Sequence, residues 1–246
     1  AWELNQKGRN NVIIGGNLWL KMGNRNILNA IDLSTLGLDR IEEDESGFRI
    51  GCMATLRDIE MHEGLNKEFQ NLFKEAVRHI VGVQFRNCAT VGGSIFPKLG
   101  FSDVLTAFLA CDTQVILYKK GEVSLREFIY MPLDNDILTH IYVKKDGRKT
   151  AYESFRMTET DFPTLTCAMA MVDGRFETVL GARPKHAEVV IDEELADSLS
   201  KEDVASYAKR VIDKLQYGSN IRGSKQYRKQ LSKVLISRCI SRLTEE

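Results

Sequence analysis

Two glycine pairs are the residues best placed to do chemistry. Gly15-Gly16 directly follows Val12-Ile13-Ile14, and Gly92-Gly93 lies within Ala89-Thr90-Val91-Gly92-Gly93-Ser94. A residue without a Cβ lets successive backbone N–H groups converge on an anion, and a nearby helix N-terminus adds partial positive charge. Such a nest would suit a diphosphate, although either pair alone also reads as an ordinary tight turn. Neither pair sits in G-x-G-x-x-G or G-x-x-x-x-G-K-[ST], so the Rossmann and P-loop templates both fail and a nucleotide bound here needs another fold. Asp103 opens a helical stretch. There it reads as a carboxylate stabilised by the helix dipole, or as an acceptor for a ribose if both glycine turns face its cavity. Tyr152 and Arg156 follow a domain boundary and are placed to line an interdomain cleft. Cys88 has no His or acid at a spacing that would activate it, so it reads as a buried or half-buried bystander. No catalytic triad or carboxylate pair is recognisable.

The elements that must position these residues belong to a chain of 246 residues, 43% apolar and 28% charged. That length suits one large or two modest domains with a proper core. Thirty-four basic residues balance thirty-four acidic ones, which argues against nucleic-acid binding by counterion release and against wholesale attraction to an anionic membrane. Five dispersed cysteines without C-x-x-C fit a reducing compartment. Four histidines without ligand spacing suggest neither a structural zinc nor a bound iron-sulfur cluster. No apolar stretch reaches membrane-spanning length and no signal peptide opens the chain, so a cytoplasmic protein is expected. Because it opens at Ala1 without a methionine, a short N-terminal piece is expected to be missing.

Val12 to Ile14 reads as a buried strand running into the first glycine turn, with Asn17 as N-cap of a helix through Met22. Strands are expected at Ile27 to Leu33, Phe48 to Gly51, Thr113 to Tyr118 and Ile137 to Val143. Phe69, Leu72, Phe73, Ala76, Val77, Ile80 and Val81 share one face of a predicted amphipathic helix that stops at Gly82. A second helix is expected over Ser102 to Cys111. The polar run from Lys144 to Lys149 is the best boundary. Beyond it, Asp173-Gly174-Arg175 predicts a hairpin between Thr164–Val172 and Phe176–Leu180, Ser200 to Asp203 a capping box for a helix through Leu215, and Gly223 to Leu243 a last helix.

Four segments together resemble a known family. They are Val12 to Leu18, Gln84 to Ile95, Ser102-Asp103-Val104 and, in the second half, Tyr152-Glu153-Ser154-Phe155-Arg156 with Thr160-Asp161-Phe162-Pro163. Ser219 to Arg228 resembles the same family's entry to its last helix. The family is the FAD-binding medium subunit of molybdenum hydroxylases, of the xanthine dehydrogenase and carbon monoxide dehydrogenase type. The resemblance implies an α+β chain: a two-subdomain FAD-binding fold of the vanillyl-alcohol-oxidase (PCMH-like) type over residues 1–146, and a C-terminal α+β flavoprotein domain over 150–246. By the same resemblance, Ile13, Ile14, Gly15, Gly16, Asn17 and Leu18 would wrap the diphosphate and ribityl region of FAD. Thr90, Gly92, Gly93 and Ser94 would form a second cradle, with Asp103 on the adenosine side. Ile80, Leu138 and Tyr152 align with flavin-contacting positions, and otherwise Ile80 and Leu138 read as plain core.

The resemblance further implies an electron-transfer subunit that takes electrons from iron-sulfur clusters in one partner and passes them through FAD to NAD or another acceptor, while hydroxylation occurs on a molybdopterin-binding large subunit. The sequence departs from the family pattern at Asn17 (usually Thr or Ser), Ser94 (usually Asn) and Leu99-Gly100 (usually Ser-Pro). These departures motivate a scaffold without FAD as one alternative, and a free-standing flavin oxidoreductase is the other. Charge is uneven, with eleven Lys and Arg against five acids from Lys201 to Glu246, and three Arg against eight acids from Asp39 to Glu63. This is equally explained by solvated surfaces.

Overall fold

Three sheets organise the described residues. The computed structural model describes residues 1–192 and 200–244. After a short helix α1 (Trp2–Gln6), strand β1 (Asn11–Ile14) runs parallel to β2 (Asn29–Asp32) as a two-stranded sheet. Asn29 Nδ2 donates to Asn11 Oδ1 at 2.7 Å, tying the strands at the end remote from the glycine turn.

The second sheet is antiparallel and takes in β3 (Ile41–Glu43), β4 (Gly47–Gly51), β5 (Thr113–Leu117), β6 (Gly121–Ser124) and β7 (Leu138–Lys144), in the order β3-β4-β7-β5-β6. The helices α2 (Leu56–Met61), α3 (Glu63–Glu68), α4 (Leu72–Val77), α5 (Val83–Arg86), α6 (Val91–Ile95) and α7 (Asp103–Leu109) fall between β4 and β5, and α8 (Leu125–Phe128) between β6 and β7. Alternation along β5 buries Thr113, Val115 and Leu117, as a half-buried strand requires. α7 is buried along its whole length.

The predicted single helix from Phe69 to Val81 does not form. Phe69 ends α3, Gln70 and Asn71 take positive φ of 45° and 61°, and only then does α4 begin. The break has local and long-range causes: Asn66 Oδ1 accepts from Lys74 N at 3.3 Å, and Gln70 Oε1 accepts from Thr150 N at 2.6 Å, which pulls the turn onto the next sheet. The apolar face is still buried from Phe69 to Val77, whereas Val81 is exposed, with φ of 52°.

That next sheet starts at Lys149, after β7 has closed the previous one. Strands β8 (Lys149–Phe155), β9 (Leu165–Val172), β10 (Arg175–Gly181) and β11 (Glu188–Ile191) are antiparallel in the order β11-β10-β9-β8. Asp173 and Gly174, both with positive φ (49° and 74°), make the expected hairpin. Helix α9 (Lys201–Asp213) is capped by Ser200 Oγ, which accepts from Asp203 N at 3.2 Å, and α10 (Lys225–Thr244) lies against β8 and β9. One face of this sheet forms a core with the two helices, Leu165, Cys167 and Met169 packing with Val211, Leu235 and Ile236. From the same sheet, Tyr152, Ala168 and Val179 join the core of the second sheet. Among the described residues no helix is long and apolar enough to cross a membrane.

Candidate functional site

The two glycine turns, about eighty residues apart in sequence, lie against each other. Gly16 has φ of +68°, and a Cβ there would fall inside the Cys88 carbonyl oxygen, while one on Gly15 would enter Thr90 Oγ1. A Cβ on Gly93 would lie 3.0 Å from Thr90 Oγ1 and 3.5 Å from Gly15 O. Glycine is therefore what allows this approach. Asn17 also has positive φ, 54°. It is not the helix N-cap that sequence suggests, because the chain forms only a 3-10 turn, at Leu20–Met22, which starts from Trp19. Among the described residues the backbone N–H groups of Gly16, Asn17 and Thr90 have no acceptor.

Gly92 and Gly93 are not in a loop but in the first turn of α6, where Thr90 Oγ1 accepts from Gly93 N at 3.2 Å. The Gly92 N–H is already spent on Cys52 O at 2.8 Å, and a Cβ there would lie 2.7 Å from Cys52 Cβ. Its missing side chain thus serves close packing of the helix on the segment after β4. Ser94 Oγ donates to Thr90 O at 2.9 Å, and Ser102 Oγ donates to Ser94 O at 3.0 Å while capping α7 through Leu105 N. This chain of bonds ties the cradle to the start of α7. Ile13 and Leu18 pack partly buried on the core, and Ile14 is partly buried beside them in sequence. Leu138 is buried on β7, next to Thr139, whose carbonyl accepts from Cys52 N. Ile80 is partly buried, its carbonyl held by Arg86 at 3.1 Å. Cys88, expected to be buried or half-buried, is exposed.

Asp103 is 4% exposed. Its Oδ1 accepts from the Tyr152 hydroxyl at 2.5 Å and pairs with the Arg156 guanidinium at 2.7 Å. α7 and β8 thereby clasp a charged pair inside the protein. Burial pushes the Asp103 carboxyl up from the ordinary aspartate value, against the pull of Arg156 and the phenol. Burial and the Asp103 charge raise the Tyr152 phenol well above its usual value. Burial works to lower the Arg156 pKa, but Asp103 outweighs it and holds the guanidinium charged. With a guanidinium at 2.7 Å and a donating phenol, the carboxylate is the species present at neutral pH. Tyr152 and Arg156 also line a cleft of about 340 Å3 between the end of α4 and β8, with His79 and Ser154.

Sequence reasoning missed an aromatic cluster. Trp19, just beyond the first glycine turn, Phe101, just before the α7 cap, and Phe162 of the third sheet's first connection meet with ring centroids 5.3, 5.8 and 4.4 Å apart. Trp19 is 51% and Phe162 37% exposed. Arg222 lies over the Phe162 ring at 5.1 Å and pairs with Asp161 at 2.9 Å. Three single aromatics in separate segments give no periodic signal, and only the fold unites them.

The profile described as the FAD binding domain in molybdopterin dehydrogenase matches residues 1–143. The chain belongs to this family of FAD-binding domains. An uncharacterised protein of Escherichia coli K12, YgfM, is 27% identical over 144 residues, 58% of this chain and 54% of that one; the chain thus spans about half the length of that relative. The glyceraldehyde dehydrogenase medium chain of Sulfolobus acidocaldarius is 26% identical over 223 residues, 83% of this chain and 79% of that one. Among solved structures, quinoline 2-oxidoreductase from Pseudomonas putida 86 superposes with a TM-score of 0.87 at 17% identity, covering 98% of this chain and 92% of that one. Carbon monoxide dehydrogenase from Hydrogenophaga pseudoflava gives 0.84 at 23% identity with the same coverage. These likenesses establish the mixed α/β fold.

The residues present fit the family's cofactor. Two turns that admit no Cβ leave three main-chain donors free on adjoining segments, the chemistry that a diphosphate requires.

Proposed function

We propose that the chain is the FAD-carrying, electron-transfer subunit of a molybdenum hydroxylase-type dehydrogenase. The observation that carries this reading is the closure of the Gly15-Gly16 turn on the Cys88 to Gly93 turn, with the N–H groups of Gly16, Asn17 and Thr90 left without acceptors. Residues 1–146 would form the cofactor domain and 150–246 the C-terminal domain. Ile13 to Leu18 would pass along the diphosphate and ribityl chain, with Thr90, Gly93 and Ser94 opposite. Gly92 supports that segment from behind. The exposed rings of Trp19 and Phe162, packed on half-buried Phe101, offer an apolar surface beside the first turn, suited to the isoalloxazine. Asp103 would lie on the adenosine side, with Ile80, Leu138 and Tyr152 at positions that contact the flavin.

FAD, when bound, supplies the redox centre, able to exchange electrons singly or in pairs. The protein's part is to hold and orient it. Partners would be an iron-sulfur subunit and a molybdopterin-binding large subunit, with NAD or another terminal acceptor, in the cytoplasm. The names medium chain and complex subunit alpha, borne by relatives 26% and 23% identical, support a subunit role.

The test is to incubate the purified full chain with FAD, remove excess by gel filtration and record the visible spectrum. About one flavin per chain is expected, and a colourless protein overturns the reading. Co-purification of the native assembly, analysed for iron and molybdenum, tests the partners; a chain that always isolates alone refutes them.

A further inference from the structure

Val81 holds a backbone conformation that its side chain opposes. Of the described residues other than glycine that take positive φ, Val81, at 52°, is the only β-branched one. A β-branched residue is an outlier in that region, and such strain persists only where the surroundings impose it. Packing of the Val81 side chain does not impose it, because the residue is 52% exposed.

The constraint comes from Arg86. Its Nη1 donates to the Ile80 carbonyl, the peptide oxygen next to Val81, at 3.1 Å. Its Nε and Nη2 grip the Glu60 carboxylate of α2 at 2.8 and 3.2 Å. Both side chains are buried, and Glu60 is held again by Arg57 at 2.9 Å. A bidentate pair fixes a guanidinium in direction as well as in place. The orientation of the Ile80–Val81 peptide is therefore set by α2.

This peptide matters to the cradle because only the single turn of α5 separates Val81 from the second glycine turn. Phe85 O accepts from Cys88 N and Ala89 N at 3.1 and 2.8 Å, so α5 carries Cys88. It is the Cys88 carbonyl against which the Gly16 turn closes. The far end of the segment is fixed, since Leu56 N donates to Ala89 O and Val91 N to Ala54 O, each at 2.8 Å. Between α4 and that anchor the course of the chain depends on Val81: were it to leave the left-handed region, Ile80 and α5 would turn, and the Cys88 carbonyl with them. We propose that Arg86 is a positioning residue for the flavin site. Anchored by Glu60, it holds Val81 in a conformation that valine disfavours, and so keeps the Ile80 side chain and the Cys88 carbonyl where the cofactor needs them. The inference rests on the FAD reading above.

Rescue by a second substitution tests it, read by isothermal titration of the full chain with FAD. Arg86→Lys keeps a cation beside Glu60 but cannot both grip the carboxylate bidentately and reach Ile80 O. Val81 then returns to its ordinary conformations, and FAD affinity should fall about fivefold to thirtyfold. Glycine takes positive φ about as readily as negative, so Val81→Gly added to Arg86→Lys should restore affinity to within about twofold of wild type. Val81→Gly alone should bind as wild type does. No loss in Arg86→Lys, or a loss that Val81→Gly leaves unrepaired, overturns the proposal; the second result makes Arg86 a structural residue only. Should Arg86→Lys not fold, Glu60→Gln repeats the comparison, because it leaves Arg86 in place but removes the charge that fixes it, and Val81→Gly must repair its FAD affinity too. Melting without flavin reads the strain directly. Asparagine tolerates the left-handed region, so Val81→Asn should melt about 2 to 4 °C above wild type, and melting at or below wild type overturns the proposal. A wild-type chain that takes up no FAD overturns the flavin reading and this role together, whereas FAD uptake that Arg86→Lys leaves undiminished overturns this role alone.

Discussion

Gly16→Ala tests the contact between the two turns, and the structure contains its own control. Gly16 and Gly37 have the same φ, +68°, but a Cβ on Gly16 would collide with the Cys88 carbonyl whereas one on Gly37 would meet nothing within 4 Å. An alanine held in the left-handed region costs about 1 to 2 kcal/mol, and this term is common to both variants. Gly16→Ala adds an overpacking term of about 1 to 3 kcal/mol, because the obstacle is backbone and cannot rotate away. For a chain of this size each kcal/mol lowers the melting temperature by roughly 2 to 4 °C. Gly37→Ala should therefore melt about 2 to 8 °C below wild type, and Gly16→Ala about 2 to 12 °C below Gly37→Ala. Calorimetry of the three proteins without added flavin gives these differences, and titration with FAD then follows. Gly16→Ala should bind poorly, because relief of the clash separates the turns, while Gly37→Ala should bind as wild type does. Identical melting temperatures for the two variants would refute the close approach, and undiminished FAD binding by Gly16→Ala would remove it from the cofactor site.

Two further outcomes follow from buried and exposed side chains. Glu60 is buried against Arg86 at 2.8 Å and Arg57 at 2.9 Å; burial acts to raise its pKa, but the bonds from Arg86 and Arg57 outweigh it and hold the carboxyl below the ordinary glutamate value. Glu60→Gln should cost about 3 kcal/mol at pH 7. A depressed folded-state pKa gives stability that is present above the unfolded value and lost as pH falls through the folded one, so the gap in denaturant midpoint should hold above about pH 5 and narrow below about pH 4. A gap unchanged at pH 3 would contradict the assignment. Of the five free cysteines only Cys88 is exposed, so a thiol reagent should modify one site per native chain quickly and the other four only on unfolding. Fast reaction of two or more would show that the buried cysteines are accessible.

Much of the fold was legible where a local rule decides it. The Asp173-Gly174 hairpin, the Ser200 cap and the strand that starts at Thr113 depend on a few neighbouring residues, and each forms as their chemistry requires. The break at Gln70 and Asn71 was not legible, because the partner that holds Gln70 is Thr150, eighty residues away in sequence. The glycine pairs could be found, but not their mutual contact, nor the different task of Gly92, whose N–H bonds to Cys52 O. One departure from the family pattern acquires a reason: a Cβ on Gly100 would lie 2.9 Å from Pro184 O, so glycine lets that loop lie against the turn between β10 and β11. Asp103 looked like a helix-start carboxylate or a ribose acceptor, and its clasp with Tyr152 and Arg156 needed the third sheet to be in place.

The Gly15-Gly16 turn hangs from β1, whose ladder partner among the described residues is β2 alone. A sheet of two short strands is marginal by itself and opens more readily than one of four or five. The halves of the cradle thus differ in support: Thr90 and Gly93 stand on a helix packed into the main core, while Gly16 and Asn17 follow a strand whose amide hydrogens should exchange with solvent more readily than those of the larger sheets. A ligand held by both would freeze the looser half onto the firmer one, and part of its binding energy would be spent in quieting residues 11–32.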